Sequence, residues 1–351
     1  MKKVISRILF VLLGLLCVGF CAILIKSIII LNNKIYNNDK FSIAMVTDGG
    51  GVNDQSFQES AWRGLQNLER EHDCKVRYVE CQQSADFLSN IDKLNDENTD
   101  LILGIGYKLA DPISLAAKIN PERTYILADF SLNEDTPDNV ICLVFRAQES
   151  SFLAGYAAAL TTKTGVVGFI GGMKSLVIDQ FEYGFRAGVA YASKEINKNI
   201  IVKSQYAETF TDSAKGKAVA IKMFDECDIV FHAAGGAGVG VIEAAKERDK
   251  YAIGVDMDQI NLAPDNILTS AVKDVGRAIE IIAARVMNGE NLAGQTFNFG
   301  IKEKCVGIPE NNPNMSEKVS KLTKKIEEKI STGKIIPPSN LTEYNNFINN
   351  L

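Results

Sequence analysis

Beyond residue 40 the chain alternates short apolar runs with segments whose apolar positions recur at helical spacing. The pattern is clearest at the opening, FSIAMVTDGGGVNDQSFQESAWRGLQNL from Phe41 to Leu68. Ile43, Met45 and their neighbours predict a buried strand with Asp48 at its carboxyl end. Gly49 to Gly51 let the backbone turn sharply and approach a ligand closely. A helix is predicted to start at Asn53 or Asp54, either of which can cap it, so that Phe57, Ala61, Leu65 and Leu68 share one face. Phe57 falls in the first turn, where it either joins the core or overhangs the cleft at the strand ends, the place where open α/β sheets bind ligands.

The alternation continues with strands at Lys75–Glu80, Leu101–Ile105, Thr124–Ala128 and Val140–Phe145, and helices at Ala85–Asn95, Leu109–Ile119 and Glu149–Thr161. It then restarts: strands at Gly165–Gly171, Ile200–Gln205, Asp228–Phe231 and Tyr251–Val255 alternate with helices at Ile178–Ile196, Ser213–Phe224 and Val239–Lys246. Strands alternating with helices predict parallel sheets covered on both faces. The halves can be laid over one another. DLILGIG leads through a helix to an aspartate after a strand, Asp129, and DIVFHAAGG leads through a helix to Asp256 at nearly the same separation. A constant shift also brings Phe57 onto Phe181 and Gly64 onto Gly188. Two similar lobes are expected, each offering an aromatic near its first helix and a carboxylate after its fourth strand. A strand ending at Lys273, an amphipathic helix and a charged helix from Ser316 to Ile330 follow, split between the lobes with several crossings and a hinge. The expected division is residues 1–40 as a membrane segment and linker, 41–148 and 149–265 as the lobes, and 266–351 as the shared tail.

The first forty residues have a different character. Lys2, Lys3 and Arg7 precede an uncharged run from Ile8 to Ile25, and apolar character resumes after Lys26 through Leu31. That is long enough to span a bilayer, and the positive flank predicts a cytoplasmic N-terminus with the folded part outside the cytoplasm. An uncleaved signal anchor is expected. A lipoprotein signal is the alternative, although Cys17 and Cys21 follow residues that match a lipobox poorly, and a cleaved signal peptide normally has a shorter apolar region ending at small residues.

The net charge of −5 over 351 residues, with both signs interspersed, gives no nucleic-acid-binding surface. The cysteines show no CxxC or His/Cys cluster, so neither a disulfide framework nor a zinc site is expected. Asp256-x-Asp258 lacks a third metal ligand. The glycine stretch from Ala233 to Gly240 has neither dinucleotide spacing nor a following GK[ST]. His72 and His232 have no neighbouring serine or cysteine arranged for nucleophilic work and are expected to be structural. No cofactor is called for. A nucleoside hydrolase or phosphorylase would need an aspartate-rich calcium site or a phosphate site, and neither pattern is present.

In GVNDQSF, SFLAGYAAAL, VGFIGGMKSLVIDQFEYGFRAGV, AAGGAGVGVIEAA, AIGVDMDQ and ILTSAVKDV, taken in that order, the chain resembles the basic membrane protein family of substrate-binding proteins, which are similar to the purine nucleoside receptors of ABC importers. The resemblance covers about residues 41 to 310. It implies a type I periplasmic-binding-protein fold, two Rossmann-like lobes joined by a hinge and closing on a nucleoside, with delivery to a membrane permease. By motif, Phe57 and Phe181 correspond to the aromatics that stack on the base, and Asp129 to the aspartate that contacts the base edge. The ribose-binding groups correspond to Asp48, Asn53 or Asp54, the glycine pair Gly235 and Gly236, Asp256 and Lys273. Gln58 stands where the family motif often has Asn, and its role stays open. The protein is expected to be a monomeric, membrane-anchored, extracytoplasmic binding protein and not an enzyme. A nucleoside-responsive sensor, or a binder of another aromatic ligand such as riboflavin, is the alternative.

Overall fold

The computed structural model describes residues 40–351, and the predicted membrane segment lies outside them. Among the described residues no helix is long and apolar enough to cross a membrane. The N-terminal lobe opens with β1 (Phe41–Thr47), α1 (Phe57–Glu71), β2 (Cys74–Glu80), α2 (Asp86–Asp96), β3 (Leu101–Ile105), α3 (Ala110–Ile119), β4 (Thr124–Ala128) and β5 (Val140–Phe145). After α4 (Ala147–Thr161), the C-terminal lobe runs β6 (Val166–Gly171), α5 (Leu176–Ile196), β7 (Ile201–Tyr206), α6 (Ser213–Met223), β8 (Ile229–Ala233), α7 (Gly238–Glu247), β9 (Tyr251–Asp256) and β10 (Ile267–Lys273). The chain ends with α8 (Val275–Met287), β11 (Thr296–Phe299), β12 (Val306–Gly307), α9 (Glu317–Ser331) and α10 (Leu341–Asn349).

The two sheets have matching strand orders, β11-β5-β4-β3-β1-β2 and β12-β10-β9-β8-β6-β7. The central pairs are parallel, so each strand's carboxyl end points the same way and the connecting loops gather at one edge. β12 runs antiparallel to its neighbour β10. Strands β3 and β8 are buried at every position, which explains their unbroken apolar sequence: a parallel strand covered by helices on both faces has no solvent side.

The repeat between the halves has a packing basis. A Cβ on Gly64 would lie 2.4 Å from the Gly276 backbone, and one on Gly188 would lie 2.0 Å from the Phe152 carbonyl oxygen. Both glycines therefore let the first helix of a lobe touch a second helix backbone to backbone, α1 against α8 and α5 against α4. Any larger residue would drive the helices apart.

The chain passes between lobes at Arg146, at Asp274 and between β11 and β12. Arg146 ties the first and third passages together. Its Nε donates to Glu149 at 2.7 Å, and its other nitrogens reach the Asn298 carbonyl at 3.0 Å and Glu303 at 2.5 Å.

One local expectation is corrected. α1 begins at Phe57, not at Asn53 or Asp54. Gln55 adopts a left-handed φ of 56°, which a helix cannot include. Asp54 caps from outside, accepting from the backbone N–H groups of Ser56 at 2.9 Å, Gln58 at 3.0 Å and Glu59 at 3.0 Å. Those are the donors that a helix start leaves unpaired.

Candidate functional site

The strand ends of the two lobes face each other across a cleft with about 750 Å³ of atom-free space, partly continuous with solvent. From the N-terminal lobe it is lined by Asp48 and Gly50 after β1, Asp54 and Phe57 at the start of α1, and Asp129 after β4. The C-terminal lobe contributes Phe181 from α5, Gly235 after β8, Asp256 at the end of β9 and Lys273 at the end of β10. Of the residues expected from sequence, Asn53 is exposed and does not line the cleft. Gly236 lies behind the lining, where a Cβ would be 3.6 Å from Cβ of Asp54 in the other lobe.

Asp129 and Asp256 occupy equivalent places and share an unusual backbone conformation, with φ of 66° and 63°. Aspartate tolerates this region better than most residues, yet holding two such turns costs energy that the surroundings must offset. Both turns present a carboxylate to the same ammonium. Lys273 Nζ is 2.6 Å from Asp129 Oδ2 and 3.6 Å from Asp256 Oδ1. Burial works against the Lys273 charge, but the two carboxylates outweigh it and hold the ammonium's pKa above its ordinary value.

The same ammonium sits 4.6 Å from the Phe57 ring centroid and 5.3 Å from that of Phe181. The two centroids are therefore within about 10 Å of each other, against the roughly 7 Å that a flat ring needs with carbon contacts of about 3.5 Å on each face. Phe181 is 2% exposed and packs on Phe231 with centroids 6.2 Å apart, so its orientation is set by the lobe's core. Phe57 is held less tightly, against the glycine turn at Gly106, whose Cβ position is 3.5 Å from its ring.

The lobes are joined across the cleft. Besides the Lys273–Asp129 pair, Ser56 Oγ donates to Asp256 Oδ2 at 2.5 Å. Desolvation raises the Asp54 pKa to about 6, opposed by its three backbone donors and reinforced by Asp256. Asp48 accepts from Gly50 N–H at 3.2 Å, from the Gln58 amide at 3.0 Å and from Lys108 Nζ at 3.1 Å.

Sequence reasoning did not single out Tyr107 and Lys108 after β3, or Phe210 and Thr211 after β7, all of which line the cleft. The first pair carried a usable signal, because GYKLA follows β3 where AGGAG follows β8 in the other lobe. His232 is buried and lies behind the site, its Nε2 3.0 Å from Gln259 Oε1, with a pKa lowered to about 4 by burial. The five described cysteines are buried, and no group of three or more metal-ligating side chains occurs among the described residues.

Residues 41–340 match the profile of a family described as ABC transporter substrate-binding protein, PnrA-like. Basic membrane protein A of Borreliella burgdorferi is 40% identical over 311 residues, covering 87% of this chain and 90% of that protein. A CD4+ T-cell-stimulating antigen of Listeria monocytogenes is 38% identical over 320 residues, covering 85% and 88%. Among solved structures, an ABC transporter solute-binding protein from Aeropyrum pernix superposes with a TM-score of 0.77 at 25% identity, covering 88% of this chain and 96% of that one. A transcriptional activator of the comK gene from Bacillus halodurans gives 0.71 at 22% identity, covering 85% and 100%, which shows a shared fold.

Proposed function

Since the chain belongs to the PnrA-like family of ABC transporter substrate-binding proteins, we propose that it captures a purine nucleoside between its lobes outside the cytoplasm and delivers it to a membrane permease. The observation that carries this reading is the convergence of Phe57 and Phe181, one from each lobe, on a single point next to the buried carboxylate of Asp256 and the largely buried one of Asp129. A purine is flat, apolar on its faces and polar at its rim, and it asks for two aromatic faces plus a few directed hydrogen bonds.

In this reading the base enters between the rings, in space now bordered by the Lys273 ammonium, and Asp129 accepts from a ring N–H or an exocyclic amine. Asp256 and Lys273 engage the ribose, with Asp48, Asp54 and the glycine turn at Gly235 and Gly236 around it. Asn53, exposed beside the cleft, contributes to the turn and not to a direct contact. The uncharged run from Ile8 to Ile25 anchors the protein in the membrane, and the folded part acts as a monomer.

Calorimetry with adenosine, inosine, guanosine and riboflavin, with chromatography of the mixtures, tests the proposal. Nucleosides are expected to bind at submicromolar to micromolar Kd and to be recovered intact. Binding of riboflavin alone, or release of free base, would replace this reading with another.

A further inference from the structure

We propose that Gln58 is a specificity-determining residue, whose side-chain carbonyl accepts a hydrogen bond from a sugar hydroxyl of the bound nucleoside, and that Asp48 and Lys108 are the positioning residues that aim it. The inference rests on the nucleoside reading above.

Gln58 lies in the first turn of α1 and lines the cleft, yet it is only 4% exposed. Its two amide atoms are treated differently. Nε2 donates to Asp48 Oδ1 at 3.0 Å, while Oε1 is buried and has no hydrogen-bond partner. A buried carbonyl without a donor is unfavourable, and native structures keep such groups mostly where a ligand or water completes them. The orientation is not free to reverse. Turning the amide over would put its oxygen against a carboxylate oxygen that can only accept, and would remove a donor from Asp48.

Asp48 is itself fixed. Its Oδ1 also takes the Gly50 N–H at 3.2 Å, and its Oδ2 takes Lys108 Nζ at 3.1 Å. The Lys108–Asp48–Gln58 chain therefore leaves one unused acceptor on a residue of the cleft wall. The complementary ligand group is a donor, and a hydroxyl is the donor that every nucleoside carries whatever its base. This assigns the open acceptor to sugar recognition and gives Asp48 an indirect part in it.

The test is titration calorimetry of the wild type and of Gln58→Met, Gln58→Asn, Lys108→Met and Lys108→Arg with adenosine, 2′-deoxyadenosine, 3′-deoxyadenosine and 5′-deoxyadenosine, with melting temperature as the control for folding. Gln58→Met is expected to weaken adenosine about tenfold while leaving the affinity for one of the three deoxy analogues nearly unchanged. Gln58→Asn, one methylene shorter, is expected to give the same profile. Lys108→Met is expected to move the deoxy profile in the same direction, non-additively with Gln58→Met, and Lys108→Arg to restore it. Equal weakening of adenosine and all three analogues, or no weakening in folded variants, would overturn the role of Gln58 and leave the nucleoside reading standing. A wild type that binds none of the four would overturn both.

Discussion

The side-chain amide of Gln259 donates a 2.7 Å hydrogen bond to the backbone carbonyl of Gln55, from one lobe to the other. Its other end is committed within the C-terminal lobe, where Oε1 accepts from the Val255 N–H at 2.9 Å and faces His232 Nε2 at 3.0 Å. A carbonyl oxygen can only accept, so His232 must carry its proton on Nε2. The amide cannot turn over without losing both donors, and its N–H groups are thereby aimed at the opposite lobe. Opening the lobes would break this bond together with that between Ser56 and Asp256.

Replacing Gln259 by Met should therefore act on the closed form. A neutral hydrogen bond contributes about 0.5–1.5 kcal/mol, so the ligand should dissociate up to roughly tenfold faster while its association rate is unchanged. Stopped-flow fluorescence from Trp62 or from a dye on one lobe measures both rates. An unaltered dissociation rate in a folded variant would remove Gln259 from the closure mechanism.

If the base stacks between them, Phe57 and Phe181 should contribute to binding in the same way but to folding differently. Stacking tolerates any base, so Phe57→Ala should weaken adenosine, inosine and guanosine alike, by about 1–3 kcal/mol. Phe181→Ala should do the same and also destabilise the protein by about 3–5 kcal/mol, because Phe181 is 2% exposed and packed against Phe231. Calorimetric affinities beside melting curves separate the two effects. A base-dependent loss at Phe57 would argue against a stacked base.

Lys273 offers a sharper contrast with pH. Its ammonium lies between Asp129 and Asp256, and the residue is 2% exposed. Lys273→Met would leave the Asp256 carboxylate, buried, and that of Asp129, largely buried, without a cation, and breaking a buried ion pair costs about 3–5 kcal/mol. The melting temperature should fall by on the order of 5–10 °C, and by less at pH 5 than at pH 8, because protonating one carboxylate relieves the repulsion. Equal losses at both pH values would mean that the carboxylates are separated or hydrated once the lysine is gone.

Much of this arrangement was visible in the sequence because it depends on features with a local signature. Strands β3, β4 and β5 have the bounds expected from their apolar runs, and the match between Asp129 and Asp256 survives as a match in backbone conformation. Gly64 and Gly188 could be paired from spacing, although their reason, helices in backbone contact, needs the three-dimensional structure. The start of α1 differs from the expected one because a capping aspartate and a helical aspartate look alike in sequence, and only Gln55's left-handed turn separates them. Phe210 and the unpaired carbonyl of Gln58 were out of reach for a different reason. Their roles depend on which side chains the fold brings together, and no periodicity records that.

Asp54 should make ligand affinity sensitive to pH, with a sign that follows from its surroundings. In the closed form desolvation lifts its pKa from 3.8 to about 6, with Asp256 of the other lobe adding to the shift. Opening the lobes would return the carboxyl towards solvent and its ordinary value. Closure is therefore coupled to proton uptake between about pH 6 and pH 4. The charged carboxylate is a penalty on the closed state at neutral pH that is relieved as the pH falls through 6 and is absent below 3.8. Between pH 7.5 and pH 5.5 the affinity for a nucleoside should rise, by up to about fourfold if the whole shift belongs to closure. Asp54→Asn should flatten this dependence while keeping an oxygen for the backbone donors of α1, at some cost in helix capping. Titrations at four pH values on both proteins check it. An affinity that falls on acidification in the wild type, or an unchanged slope in Asp54→Asn, would show that another group controls closure.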